Sequence, residues 1–161
     1  MSAAHRHDDS KGISSVMTPA REIADGIWWF PSCLQVPIYG RPTHIHNAPY
    51  LIVGDEKTLL WGTGDATAWD DVAPEFERVL AGRTLDYLVP SHPEIPHCGN
   101  VHRVLEAYPE VRMVGDVRDY HLFFPEYEDR CDSRPAGSEL ELGGKTVVLL
   151  NAIVRDLPSS Q

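Results

Sequence analysis

The sequence predicts an α/β fold built on a mixed β-sheet. An aromatic, β-branched opening is punctuated as antiparallel hairpins, and short apolar strands then alternate with amphipathic helices in the order β-α-β-α-β. Length agrees: 161 residues, 42% hydrophobic and 24% charged, suit one compact unit with its own core.

The elements follow in order. Residues 1–20 read as a flexible polar tail, with His5 and His7 solvated, and residues 21–161 as the domain. Gly26 to Phe30 is an aromatic strand ending at Pro31. Ala48 to Val53 and Thr58 to Trp61 flank a hairpin turn at Gly54-Asp55-Glu56-Lys57. Trp69, Val72, Ala73, Phe76, Val79 and Leu80 recur at helical spacing and stop at Gly82, with Pro74 early enough to be tolerated. A buried strand at Asp86 to Pro90, a helix through Val101, Val104, Leu105 and Tyr108, and a strand at Val111 to Val114 complete the alternating unit. Asp116 is expected to cap a short helix through Val117, Tyr120, His121 and Phe124, with His121 at the edge of the core. Pro125 to Gly137 reads as a long loop, and Leu140 to Leu142 with Thr146 to Leu150 as a final hairpin around Gly143-Gly144.

Charge and composition exclude several functions. A formal net charge of −10 offers no basic stripe for nucleic acid or anionic membrane. The longest apolar stretch, Thr146 to Val154, is half the length of a membrane span and contains Asn151. Three widely spaced cysteines, Cys33, Cys98 and Cys131, read as free thiols of a reducing compartment, and a start without an apolar core argues against export, so a cytoplasmic location is expected.

The segment that carries chemistry is Ser91-His92-Pro93-Glu94-Ile95-Pro96-His97-Cys98-Gly99-Asn100, between a strand end and a helix start. Pro93 and Pro96 stiffen it, so His92, Glu94 and His97 can converge at low entropic cost. Two imidazoles and a carboxylate suit iron(II) or zinc. The alternative reading is a proline-rich surface turn with solvated histidines. The His-Glu-x-x-His of zinc proteases does not apply, because the prolines forbid the helix that would align the ligands. Thr43-His44-Ile45-His46 would project two histidines on one face of an extended segment. Cys98 adjoins His97 at a helix start and reads as packing, as do Trp28, Trp29, Tyr39 and Tyr50.

The run His92-x-Glu94-x-x-His97-x-Gly99, after Val89-Pro90-Ser91, resembles the metallo-β-lactamase superfamily, specifically its flavodiiron, oxygen-binding di-iron branch, with glutamate where the zinc hydrolases have histidine. Ile23 to Trp28 resembles the family's opening strand, Leu60-Trp61-Gly62-Thr63-Gly64 its Asp-Thr-Gly turn, and Gly143-Gly144-Lys145-Thr146 the hairpin before its next ligand. The resemblance implies an αββα sandwich, of which this chain would hold the N-terminal half, a mixed sheet with helices on one face. It places His44 and His46 near the metal mouth.

Three departures accompany it. Pro96 stands where the family has an aspartate ligand and offers no donor atom. The next family histidine falls on Asp156, either a fourth ligand or a solvated carboxylate beside Arg155. The bridging aspartate, final histidine and flavin domain have no counterpart. The resemblance and the donor set together imply a metal-dependent oxidoreductase with one or two iron ions, binding or reducing O₂ or oxidising a small substrate. A zinc hydrolase is the alternative, and a non-catalytic subunit or oxygen sensor a third reading. The apolar strands Tyr50 to Val53 and Val147 to Leu150 would need a second layer, so a partner subunit supplying the missing half is expected, a heteromer before a homodimer.

Overall fold

The computed structural model describes residues 19–91 and 98–151. Strands β1 (Arg21–Ala24) and β2 (Ile27–Trp29) pair antiparallel across Gly26, whose positive φ serves the tight turn. β3 (Cys33–Ile38) and β4 (Arg41–His46) form a separate two-stranded ribbon, turned at Tyr39-Gly40, both at positive φ. β5 (Tyr50–Val53) and β6 (Thr58–Trp61) continue the main sheet antiparallel, and β7 (Tyr87–Val89), β8 (Arg112–Gly115) and β9 (Cys131–Ser133) extend it in parallel. The order is β1-β2-β5-β6-β7-β8-β9. This is the mixed sheet expected, antiparallel first and parallel after.

Helix α1 (Trp69–Leu80) joins β6 to β7, α2 (Val101–Ala107) precedes β8, and α3 (Tyr120–Phe123) follows it. Because successive strand side chains face opposite ways, the sheet sorts its residues into two cores. Leu51, Leu60, Leu88 and Met113 meet Val72, Phe76 and Leu80 of α1 and Val101, Val104 and Leu105 of α2 in one cluster. Phe76 stands edge-on to Phe30 with ring centroids 4.4 Å apart. The alternate residues Leu59, Val89 and Val114 face the other way, against Leu140, Leu142 and Leu149. The helices thus occupy one face, as the half-sandwich requires.

The second face is not bare, as the sequence reading had it. The hairpin of β10 (Glu139–Glu141) and β11 (Thr146–Val148) lies over it. Its turn docks on the β5–β6 turn: Asp55 N–H donates to Gly143 O (2.8 Å), and the N–H groups of Glu56 and Lys57 share Leu142 O (3.0 Å each). Gly54 makes that approach possible, since a Cβ there would collide with the Leu142 carbonyl. Tyr50, Val148 and Leu150 stay exposed.

Four local expectations change. Asp116 pairs with Arg118, and Asp119 is the N-cap residue of an α3 reduced to one turn. The stretch after Pro125 is a 3-10 segment, Pro125–Arg130, followed by β9. Arg130 organises it by donating to the carbonyls of Leu105, Tyr108 and Val111 at 2.7–2.9 Å. Cys131-Asp132-Ser133 carries no apolar alternation, so its strand state comes from pairing with β8 alone. Ala20, assigned to the tail, is buried, and its N–H donates to Glu75 (2.9 Å). Residues 1–18 lie outside the described residues, and among the described residues no helix is long and apolar enough to cross a membrane.

Three stability outcomes follow. Phe76→Ala should lower the unfolding free energy by about 3–5 kcal/mol in urea titration, the range for deleting a buried aromatic. Gly54→Ala should cost about 1–3 kcal/mol by forcing the two turns apart. The Arg78 guanidinium, aided by the Ala20 N–H, holds the Glu75 carboxyl below its ordinary range. That contribution is present above the ordinary carboxylate value and lost as pH falls below it, so Glu75→Gln should flatten the acid limb of a stability–pH profile.

Candidate metal centre

The expected ligands His92, Glu94, His97 and Asp156 lie outside the described residues, so the site is approached through the elements that bracket it. On one side β7 ends at Val89, with Pro90 and Ser91 leading toward His92. On the other, Cys98 pairs with Gly64 in an isolated parallel bridge, two residues before Asn100 and α2.

Asn100 holds that side in place. It is fully buried, and its Nδ2 donates to the carbonyls of Thr63 (3.0 Å) and Asp65 (2.7 Å), while its backbone N–H donates to Thr63 Oγ1 (3.1 Å). Its Oδ1 accepts from Arg103 (3.0 Å), which also donates to Ala66 O (2.8 Å). The Gly62-Thr63-Gly64-Asp65 turn can present these carbonyls because Gly62 and Gly64 both sit at φ +70°, where an L side chain is strained. The Gly62 N–H donates to Val89 O (2.8 Å), so this turn is anchored to the end of β7 as well.

Asp65, to which the sequence reading gave no role, is a second anchor. Its buried carboxylate accepts from Thr67 N–H (2.9 Å), from the Thr67 hydroxyl, and from Ser32 Oγ (3.3 Å). The first two bonds cap the 3-10 turn Ala66–Ala68, and the third reaches the base of β3. The available signal was a Gly-Thr-Gly-Asp run directly after an apolar strand, which reads as a turn with a capping carboxylate. Asn100 had no comparable signal, because the carbonyls its amide nitrogen serves belong to residues 35–37 positions away.

Two depressions flank Ser91. One, of about 170 Å³, is lined by Asn47, Ala48, Tyr50, Trp61, Gly62 and Gly64. The other, of about 260 Å³, runs past Trp61 and Val89 to Gly115, Asp116 and Arg134. Among the described residues, neither Oδ1 nor Nδ2 of the buried Asn47 side chain has a hydrogen-bond partner, an uncommon arrangement in a folded interior.

His44 and His46 lie on β4 opposite Gln35 and Cys33 and share one face of the ribbon, the projection their spacing predicts. Among the described residues no three His, Cys, Asp or Glu side chains are grouped so as to hold a metal. The donor set of His92, Glu94 and His97 fits iron(II) or zinc in chemistry, with two imidazoles and one carboxylate, and Pro96 adds nothing.

A mixed sheet with helices on one face, a glycine turn after β6 and a histidine-bearing stretch of sequence between β7 and α2 characterise this α/β protein. The metallo-beta-lactamase superfamily profile matches residues 43–153, and the chain belongs to that superfamily. No functionally curated protein matches the sequence. Solved structures agree on the fold. Rubredoxin oxygen:oxidoreductase from Desulfovibrio gigas superposes with a TM-score of 0.68 at 23% identity, over 80% of this chain and 34% of its own. A flavo di-iron protein variant from Thermotoga maritima gives 0.67 at 14% identity, over 83% and 35%. A metallo-beta-lactamase variant from Cronobacter sakazakii gives 0.57 at 16% identity, over 83% and 54%. The chain thus spans between a third and just over half the length of the structures it resembles.

Asn100→Ala should lower stability by about 1–3 kcal/mol or more in urea titration, because two carbonyls and a guanidinium lose a buried partner. Asn100→Asp should cost more, since a carboxylate would face those same carbonyls.

Proposed function

We propose that the chain is a non-haem iron protein of oxygen-linked chemistry, a metal-dependent oxidoreductase in which His92, Glu94 and His97 hold the metal and Asp156 adds a fourth ligand, an oxygen donor. The observation that carries this reading is the donor set His-x-Glu-x-x-His, directly after the end of β7 in a chain of this superfamily, with a carboxylate at its second position. The fold likeness to an oxygen:oxidoreductase and a flavo di-iron protein supports it. Iron, when bound, supplies electrons and open positions for O₂ or an oxidisable small molecule. The chain's own part is structural. Asn100 and the Gly62–Asp65 turn hold the approach to α2 in place, and Trp61 and Tyr50 line the neighbouring depression.

A zinc hydrolase is the second reading, favoured by the superfamily match and by the likeness to a metallo-beta-lactamase. There the metal would lower the pKa of a bound water. Pro96, which removes one donor of a second metal, favours the third, a non-catalytic subunit or oxygen sensor. We further propose that a partner subunit completes the site, a heteromer before a homodimer, because only a different chain brings new donors while covering Tyr50, Val148 and Leu150.

Metal analysis of the purified protein with a paired assay tests the proposal. Iron with an O₂-dependent visible band is the expected outcome; zinc with hydrolysis of an ester or lactone and no response to O₂ replaces it with the second reading, and absence of metal with the third. His92→Ala, Glu94→Ala and His97→Ala should each weaken metal retention at least about tenfold against a chelator. Full retention in any of them removes that residue from the ligand set. Light scattering beside metal content tests the partner: a metal-replete, active monomer argues against it.

A further inference from the structure

The β3–β4 ribbon carries a group of side chains that the metal reading does not use. Cys33 Sγ lies 3.1 Å from His44 Nδ1, and Gln35 Nε2 lies 3.4 Å from His44 Nε2. The ladder sets this arrangement. Cys33 stands opposite His46 and Gln35 opposite His44, so all four side chains share one face, with His44 diagonal to the thiol. The base of the ribbon is fixed, with Asn47 N–H donating to Ser32 O (3.2 Å) and Ser32 Oγ to Asp65 (3.3 Å), while Leu34 is buried on the opposite face. Cys33 itself is half-buried and His44 exposed, so a small molecule in solution can reach the sulfur.

The three groups stand in the order nucleophile, base, orienter. With its amide nitrogen toward His44, Gln35 donates to Nε2, and Nδ1–H then faces the sulfur. With the amide turned over, Gln35 accepts from Nε2–H, and Nδ1 accepts the thiol proton. In both arrangements sulfur and Nδ1 share one proton. Cys131 stands in a different environment. Burial pushes the Cys131 thiol up, and its S–H donates to the Tyr127 carbonyl (3.5 Å). Cys98 sits in the bridge to Gly64 at the approach to α2.

We propose that Cys33, His44 and Gln35 form a reactive-thiol site that exchanges with small-molecule disulfides to give a reversible mixed disulfide on the β3–β4 ribbon. His44 Nδ1 takes the thiol proton as the sulfur attacks one sulfur of the small disulfide. A Cys33–S bond forms and the original S–S bond breaks. Cys33 is oxidised, half of the disulfide is reduced, and the leaving thiolate recovers the proton from His44 and departs as a thiol. A second small thiol reverses the step. Neither of the other cysteines belongs to the ribbon, so the oxidant is an external disulfide.

The test follows the native full chain reacting at neutral pH with an aromatic dinitrobenzoate disulfide, whose released thiolate is coloured, and identifies the product with oxidised glutathione by mass spectrometry. A fast-reacting thiol is expected at Cys33. Cys33→Ser should abolish the fast phase, and His44→Ala should slow it at least about tenfold with partial recovery on adding imidazole, as for a lost general base. Gln35→Ala should fall between His44→Ala and the parent, and His46→Ala should stay within about twofold of the parent. A fast phase surviving Cys33→Ser, an unslowed His44→Ala, failure of imidazole to restore any rate, or equal slowing by His46→Ala would each overturn the proposal. Circular dichroism of every variant checks that the ribbon change has not unfolded the chain.

Discussion

One wholly buried side chain ties this structure together. Asn100 is separated from its partners by a strand, a helix and a loop, yet its amide is satisfied only when the turn after β6 and the start of α2 stand side by side. A buried amide without partners is costly, so the clamp acts as a condition on assembly as well as a contact. It sets the far end of the segment that begins at Ser91, and with the Gly62–Val89 hydrogen bond it fixes the spacing of that segment's two ends.

From that clamp the frame extends outward through Asp65. Its carboxylate caps the turn into α1 and reaches Ser32, so the β3–β4 ribbon, the glycine turn and the helical layer share one polar junction beneath the mouth. The apolar layers supply the bulk of the stabilisation around it. Phe76, Leu60, Leu88 and Val104 on the helical face and Leu59, Val114 and Leu142 on the other bury the sheet from both sides. The hairpin after Gly137 covers only part of the second face, leaving Tyr50 in contact with solvent, and its own segment exposes Val148 and Leu150. In an αββα architecture that is the face on which a second sheet packs.

The superfamily provides a scaffold on which different metals and reactions are built, so fold alone does not select among them. In the site proposed for this chain the discrimination rests on Glu94, whose side chain is a hard oxygen donor, and Pro96, which has no donor atom. The Cys33 ribbon is chemically separate from that question. It lies at the same junction through Ser32, so modification there would act on the base of the mouth without requiring any metal to be bound.

Much of this was legible from sequence because it depends on local periodicity. The 3.6-residue recurrence from Trp69 to Leu80 matches α1 at both ends, the apolar run Thr58 to Trp61 matches β6, and Gly54 to Lys57 and Gly143-Gly144 are turns as their chemistry indicates. The ordering of ligand-type residues in the segment 92–97 is likewise a property of sequence, as is the absence of a donor at Pro96. What tertiary structure alone decided involves partners far apart in the chain. Cys131 to Ser133 becomes a strand only because β8 offers it an edge, and the β3–β4 register alone brings Cys33, Gln35 and His44 together. The reach of Asp65 to the Ser32 hydroxyl and of Asn100 to the Thr63 and Asp65 carbonyls comes from groups brought near by folding. Hydrophobic period is written in neighbouring residues, whereas the direction of a buried hydrogen bond exists only once the chain has closed on itself.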